Sequence, residues 1–472
     1  MNALPLRTKF AYSMGQFSWA AKDTSFHYFL FFYYTQFLGL SASLAGLAAL
    51  LALAADAISD PIVGQVSDNW RAGKWGRRHP LMAWAIIPFP LCLIAIFNPP
   101  ESLTQTQLFA WYLGNAVVIR TFLTLFTVPH LALGAELSED YEERTSIATF
   151  RNLMGYAGGL SIQVVAWFIL IPTATAAGMV AMGYRNVGFV AAGLAAVGMI
   201  AAFWGTRNRI QYLGQTNESQ RARPWYYAFG DVVTMLKNHS ARTYLSANLV
   251  LIVTVGIGNT MLLHVNNFFY GFSSEQTGVF MLCIFFCLPP AAWISKQCVH
   301  RFGKEGGVIR LITVMAVVGP IPAMLHLYGL TPPSGSNALL AVVCLFVILH
   351  QSLYIANVNI AGGMVPDIAD ELALKSGMRQ EGIINSGMML TQKMVFGLGA
   401  FFAGLAIDFA GLDGVTEASQ VTASMMERLA WVYGPGLMCA TFIVAVIYSR
   451  YRLTRERVED IRHQLAKSPI GE

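Results

Sequence analysis

Residues 43–66 read SLAGLAALLALAADAISDPIVGQV. A helix needs about 20 consecutive apolar residues to cross the hydrocarbon layer of a bilayer, and this stretch is long enough. Inside it stand two carboxylates, Asp56 and Asp60, with Pro61 and Gly64 close behind. A charge at the bilayer centre costs about 2.5–3.5 kcal/mol on insertion scales, so neither aspartate faces lipid. The segment reads as a membrane-spanning helix with one face turned to a wet cavity or to other charges, and interruptions in such helices often mark transport sites.

The rest of the chain agrees. Of its 472 residues, 55 % are hydrophobic and 12 % charged, with a mean hydropathy of +0.51. That is too apolar and too poor in charge for a soluble protein of this size, which excludes disorder, a coiled coil and an ordinary cytosolic enzyme. Apolar length and loop chemistry place helices near residues 10–38, 43–66, 80–98, 106–134, 148–172 and 186–206, and again near 241–270, 276–298, 307–328, 336–363, 381–410 and 428–450. The expected fold is an all-α integral membrane protein: twelve transmembrane helices in two six-helix pseudo-symmetric bundles, 1–206 and 241–450, joined by a cytoplasmic central loop, 207–240, and followed by a cytoplasmic tail, 451–472.

The net charge of +5 comes from Lys and Arg spread over short loops and the tail, not from a basic face, so nucleic acid is not an expected partner. Arg7, Lys9, Arg71, Lys74, Arg77, Arg78, Arg207, Arg209, Arg221, Arg223, Lys237, Arg301, Lys304 and the tail arginines belong to one side, whereas the opposite loops offer only Arg185 and Arg428. Positive charge resists translocation; both termini of this multi-pass protein are expected in the cytoplasm. The first apolar run continues to about Leu38, too long for a signal-peptide core. Six cysteines, Cys92, Cys283, Cys287, Cys298, Cys344 and Cys439, show neither a disulfide framework nor metal spacing and read as reduced packing residues.

A repeat links the halves. Arg71-Ala72-Gly73-Lys74 recurs 230 positions later as Arg301-Phe302-Gly303-Lys304, and Glu136 with Arg144 correspond to Asp367 with Arg379 at offsets of 231 and 235. Duplicated halves imply a central site.

Six charges lie within apolar helices: Lys22, Asp23, Asp56, Asp60, Arg120 and Lys393. Three acids and three bases permit mutual neutralisation. Asp56 and Asp60, four apart, project from one helix face, and two carboxylates crowded in a low dielectric bind a cation, pair with a base such as Lys393, or take up a proton. Arg120, Thr124 and Thr127 form one stripe on the fourth helix, suited to gripping a carboxylate or sugar hydroxyls; alternatively Arg120 only neutralises Asp23 or Asp60. Asp23 and His27 are four apart on the first helix, where Asp23 suits sugar hydroxyls. His27, His130, His264 and His350 lack metal-ligand spacing and read as structural, His130 as a cap on its helix end. Asn259, Asn266, Asn267, Gln351, Asn357, Asn359, Asn385 and Gln392 give the second half a neutral polar wall that either joins helices or binds solute. Gly155, Gly158 and Gly159 read as close helix packing. Nucleophile elbows, phosphate loops and metal spacings are absent, so no enzyme and no cofactor is expected.

The run Asp56-Ala57-Ile58-Ser59-Asp60-Pro61, then Gly64, Asp68, Arg71 and Gly73-Lys74-Trp75-Gly76-Arg77-Arg78-His79-Pro80, resembles the glycoside-pentoside-hexuronide:cation symporters of the major facilitator superfamily, typified by melibiose permease. Tyr33-Tyr34-Thr35, and Asp367 with Asp370, Gly377, Arg379, Glu381 and Gly382, extend the resemblance over nearly the whole chain. It implies two rocking bundles about a midplane site, with Asp56, Asp60 and Thr124 binding the coupling ion, and Asp23, Arg151 and Lys393 joining Arg120, Thr124 and Thr127 around solute. Thr127 and Leu131 stand where melibiose permease has an aspartate and a tryptophan, which removes galactoside specificity and shifts the coupling ion from Na⁺ towards H⁺. Arg120, where that protein is small, favours an anionic solute such as a uronate.

The function expected is cation-coupled symport, with H⁺ or Na⁺, of a sugar, glycoside or uronate by a monomer, the alternative being a lipid or drug carrier of the same fold. No metal beyond a possible Na⁺ at the cation site is expected. Asp68, Arg71, Arg77 and Arg78 with Glu136 and Arg144, and Asp367 with Arg379, are expected to close a cytoplasmic gate through inter-helix ion pairs.

Overall fold

The structure, a computed structural model, describes residues 4–70, 75–76, 78–138, 140–171, 177–212, 236–376, 397–412, 415 and 420–466. The chain divides into two compact units, Met1–Trp225 and Tyr226–Glu472.

In the first unit, α1 (Leu6–Thr24) passes through a π turn (Ser25–Leu30) into Phe31–Gln36. Then follow α2 (Ala42–Asn69), α3 (His79–Ile86 and Pro88–Phe97), α4 (Gln105–Glu136), α5 (Tyr141–Val165, with a π turn at Ala166–Leu170) and α6 (Ala177–Thr206). Side-chain caps fix the starts by satisfying orphan backbone N–H groups: Ser41 accepts from the Leu44 N–H, Thr104 and Gln107 form a capping box, and Asp140 accepts from the Glu143 N–H at 2.8 Å. The Asp140 cap explains why α5 begins seven residues before its apolar run, with a charged first turn.

α1 packs closely on α5 and α6, and glycine makes the approach possible. A methyl group at Gly158 would strike the Phe17 carbonyl, one at Gly198 the Ser18 hydroxyl, and one at Gly159 would lie 2.9 Å from the Thr24 hydroxyl. The packing role read for Gly155, Gly158 and Gly159 is what the structure shows.

In the second unit, α7 (His239–His264) ends in a π turn (Val265–Phe269), the counterpart of the one in α1. α8 begins at Ser274–Leu282, tightens to a 3₁₀ turn at Cys283–Cys287 and resumes at Leu288. Leu288–Val318 is broken at Gly303, whose φ of 70° and ψ of 179° suit glycine, so α9 comprises residues 304–318 and, after a further break, Ile321–Leu327. α10 (Asn337–Gly362) leads to a short α11 (Val365–Ser376), and α12 is Gly397–Ala410. α13 runs from Ala423–Trp431 through a π turn to Leu437–Tyr448, and α14 (Arg455–Ala466) lies in the tail. Tyr244, Leu311, Ile312, Ile360, Ile368, Tyr448 and Ile461 share this unit's core, so α14 is part of it.

Among the described residues nine helices are long and apolar enough to cross a membrane. One of these, Ser274–Leu327, is divided at Gly303, and α1 with its extension and the shorter apolar helix α12 lie where the first and eleventh spans are expected, which is consistent with twelve. The boundaries differ from the sequence reading where charge interrupts a helix. Arg185 and Arg428, expected in loops, lie inside α6 and α13.

Candidate cation and solute site

The first unit gathers the buried charges of α1, α2 and α4. On α2, Asp56 and Asp60 are one turn apart, and the Thr124 hydroxyl of α4 meets both, 2.7 Å from Asp60 Oδ1 and 3.3 Å from Asp56 Oδ1. A hydroxyl has one proton to donate, and the shorter contact gives it to Asp60. One turn earlier on α4, Arg120 Nη1 donates to Asp56 Oδ2 at 3.1 Å, with 10 % and 9 % of the two side chains exposed. Arg120 therefore neutralises Asp56, a different acid from the two considered in the sequence reading. Its Nε is buried without a hydrogen-bond partner.

Around this core, Asp23 sits one residue before the last helical residue of α1, close enough to Arg120 to interact with it electrostatically. The Lys22 ammonium is 3.9 Å from Asp23 and lies over the Phe26 ring at 4.8 Å, an attraction that helps to hold a buried cation. The π turn that starts at Ser25 widens the helix next to Asp23. Thr127 is half-buried on α4. Arg151, on α5, neighbours the Tyr12 hydroxyl and His130. His130 does not cap its own helix: its Nε2 is 2.7 Å from the Tyr12 carbonyl, and its ring stacks on Tyr12 and Phe126. Lys393, Asn385 and Gln392 lie outside the described residues.

In the second unit, Asn266 and Asn357 are fully buried, and neither amide atom of either has a hydrogen-bond partner. Neither therefore joins helices through a side-chain hydrogen bond.

The expected gate residues divide between the units. Arg78, at the start of α3, donates from Nη2 to Glu136 at the end of α4 at 3.0 Å and from Nη1 to Ser67 of α2 at 2.8 Å, tying three helices. Arg144 donates to the Ser138 carbonyl at 2.7 Å. Asp68 lies in the last turn of α2, while Arg71, Arg77 and Arg379 are outside the described residues. In the second unit Lys304, just after Gly303, reaches Asp367 at 2.5 Å and the Gly363 carbonyl at 2.7 Å. Each half thus pairs a cation near the start of its third helix with an acid at or just beyond the end of its fourth; Lys74, the counterpart of Lys304 in the repeat, lies outside the described residues. Sequence reasoning missed the third member: Arg462 of α14 binds Asp367 at 3.0 Å and Asp370 at 3.3 Å. In the sequence alone the tail arginines read only as topological charge. Beyond α13, burial first and then Asp367 and Glu371 push the Tyr451 phenol above its ordinary range, so it stays neutral.

The model of the MFS/sugar transport protein family matches residues 11–455. The chain belongs to that family. It is accordingly a multi-pass membrane transporter and not an enzyme. An uncharacterized symporter of Synechocystis is 26 % identical, covering 98 % of this chain and 97 % of its own. The isoprimeverose transporter of Lactiplantibacillus pentosus is 24 % identical over 91 % of this chain and 86 % of its own. Among solved structures, a bacterial homologue of the iron transporter ferroportin in an inward-facing state has a TM-score of 0.64 at 15 % identity, over 95 % of this chain and 99 % of that one. That is a likeness of fold.

Proposed function

We propose that this transporter carries a sugar, glycoside or uronate across the bacterial cytoplasmic membrane together with a cation, H⁺ or Na⁺, by alternating access. The observation that carries the proposal is the Asp56–Thr124–Asp60 arrangement: two carboxylates one turn apart, Asp56 buried and Asp60 partly so, in contact with one hydroxyl within an apolar helix pair. Carboxylates crowded in a low dielectric attract a cation, and among the described groups three acids, Asp23, Asp56 and Asp60, stand against two bases, Lys22 and Arg120, so Asp56, Asp60 and Thr124 bind the coupling ion. The Synechocystis symporter and the isoprimeverose transporter support ion coupling and a sugar solute respectively.

Solute binds through Asp23, Arg120, Thr124, Thr127, Arg151 and Lys393. A cation at Asp56 and Asp60 changes the field at Arg120 and Asp23, so each ligand raises affinity for the other by the same factor. Arg78–Glu136, with Asp68, Arg71, Arg77 and Arg144, and Lys304–Asp367, with Arg379, close the cytoplasmic side and part on inward opening. With Arg185 and Arg428 inside helices, the loops of the opposite face carry no Lys or Arg, which supports both termini lying in the cytoplasm. The working unit is a monomer.

The test is uptake into proteoliposomes of a panel of neutral sugars, glycosides, uronates and lysolipids, with a Na⁺ or a pH gradient imposed separately. We expect one sugar-class solute to accumulate with one of the two gradients. Accumulation of lysolipid alone, or uptake indifferent to both gradients, overturns the proposal.

A further inference from the structure

Arg120 uses one edge of its guanidinium. Nη1 is held by Asp56, while Nε, buried with the rest of the side chain, has no hydrogen-bond partner. A buried donor left unsatisfied costs about 1–3 kcal/mol, more when charged, and native proteins keep such groups for a reason. The guanidinium fork matches a carboxylate, which can accept two parallel N–H bonds. The fork also shares its stripe of α4 with Thr124 and Thr127, whose hydroxyls suit a polyol.

Charge points the same way. The described groups around the site are Asp56 and Asp60 on α2, Arg120 on α4, and Lys22 and Asp23 on α1. Among these groups three acids stand against two bases, so an anion arriving alone adds to the negative charge of a low-dielectric cluster, and a cation bound at the acids offsets that penalty.

Resting on the cation-coupled reading above, we propose that Arg120 is the link between the two ligands: the cation takes the Asp56 carboxylate, and the guanidinium it releases grips a carboxylate on the solute, so the transported solute is a sugar acid. Without the cation Arg120 stays on Asp56 and the solute carboxylate finds one edge of the fork engaged. With it, both edges serve the solute. Arg120 and the cation compete for Asp56, and the solute decides the competition in favour of the cation.

The experiment uses the purified full chain in nanodiscs, with calorimetric titration of galacturonate and glucuronate against galactose and glucose, each with and without Na⁺ at fixed pH and across pH at fixed Na⁺. The wild type is expected to bind one acid at least about tenfold more tightly than its neutral counterpart, and only when the cation is present. Arg120→Gln is expected to abolish that preference, Arg120→Lys to retain part of it, and Arg120→Gln to bind the cation alone more tightly than wild type, because the competitor is gone. A wild type that binds a neutral sugar in a cation-dependent manner with no preference for the acid overturns this inference and leaves the proposed function standing. A wild type that binds neither class in a cation-dependent manner overturns the proposed function as well. The wild-type comparison decides whether or not the variants fold.

Discussion

Thr124 is the smallest part of the site and the most economical to test. Its hydroxyl touches both carboxylates, and valine has the same shape without the polar atom. Hydrogen bonds to charged groups contribute about 1.5–3 kcal/mol, so Thr124→Val is expected to weaken the coupling cation roughly tenfold to a hundredfold, measured as the half-saturating cation concentration for uptake, with the melting midpoint in detergent nearly unchanged. An unchanged cation dependence removes Thr124 from the site. Asp56 poses the opposite case, because its neutralisation strands Arg120. Removing one partner of a buried pair costs about 3–5 kcal/mol; Asp56→Asn is expected to melt well below wild type, and Asp56→Asn with Arg120→Gln to recover much of the loss. If the double variant is no more stable than the single, the two side chains are not coupled. The acids and the threonine were legible in the sequence because charge in an apolar helix is conspicuous and i, i+4 spacing fixes a face. Which acid Arg120 meets was not, since that depends on how α2 and α4 are rotated against each other.

The helices carry their own tests. Gly158 faces a carbonyl of α1 that cannot move without moving the helix, whereas Gly155 faces the flexible Gln16 side chain, 3.1 Å from where a methyl would stand. Gly158→Ala is therefore expected to lower the yield of folded protein and its melting midpoint sharply, and Gly155→Ala to leave both close to wild type; equal effects contradict the close α1–α5 approach. The tail helix α14 rests on Ile461 in the core and on Arg462 across Asp367 and Asp370. Asp367 is 3 % exposed and holds both Lys304 and Arg462, while Arg462 is largely solvent-facing. Exposed partners contribute little, about 0–1 kcal/mol, so Arg462→Ala is expected to speed amide exchange in 455–466 with a small loss of stability. Asp367→Asn, which strips two cations of their partner, is expected to cost more. Exchange in α14 that ignores both changes contradicts the clamp. This helix was invisible as a packed element because its few apolar residues, Val458, Ile461 and Leu465, are outnumbered by charge, and amphipathic patterning alone does not say what an isolated polar helix packs against.

At the scale of the whole molecule, the membrane-spanning helices were readable because the bilayer forces every backbone polar group to be satisfied within its own helix, so apolar length translates into topology. Caps moved the starts, as at Asp140, and helical arginines such as Arg185 were mistaken for loop charge because hydropathy sees only the residue and not its place on a helix face. In each half a cation near the start of the third helix meets an acid at or just beyond the end of the fourth, though in the first half that cation is Arg78 and not a residue of the repeated Arg-x-Gly-Lys run. Cation-driven accumulation in proteoliposomes by wild type and by Asp60→Asn tests whether the two acids of α2 link the solute to an ion gradient. We expect the wild type to concentrate its solute above the external level under the gradient and Asp60→Asn to equilibrate it at most. Equal accumulation by both contradicts the claim.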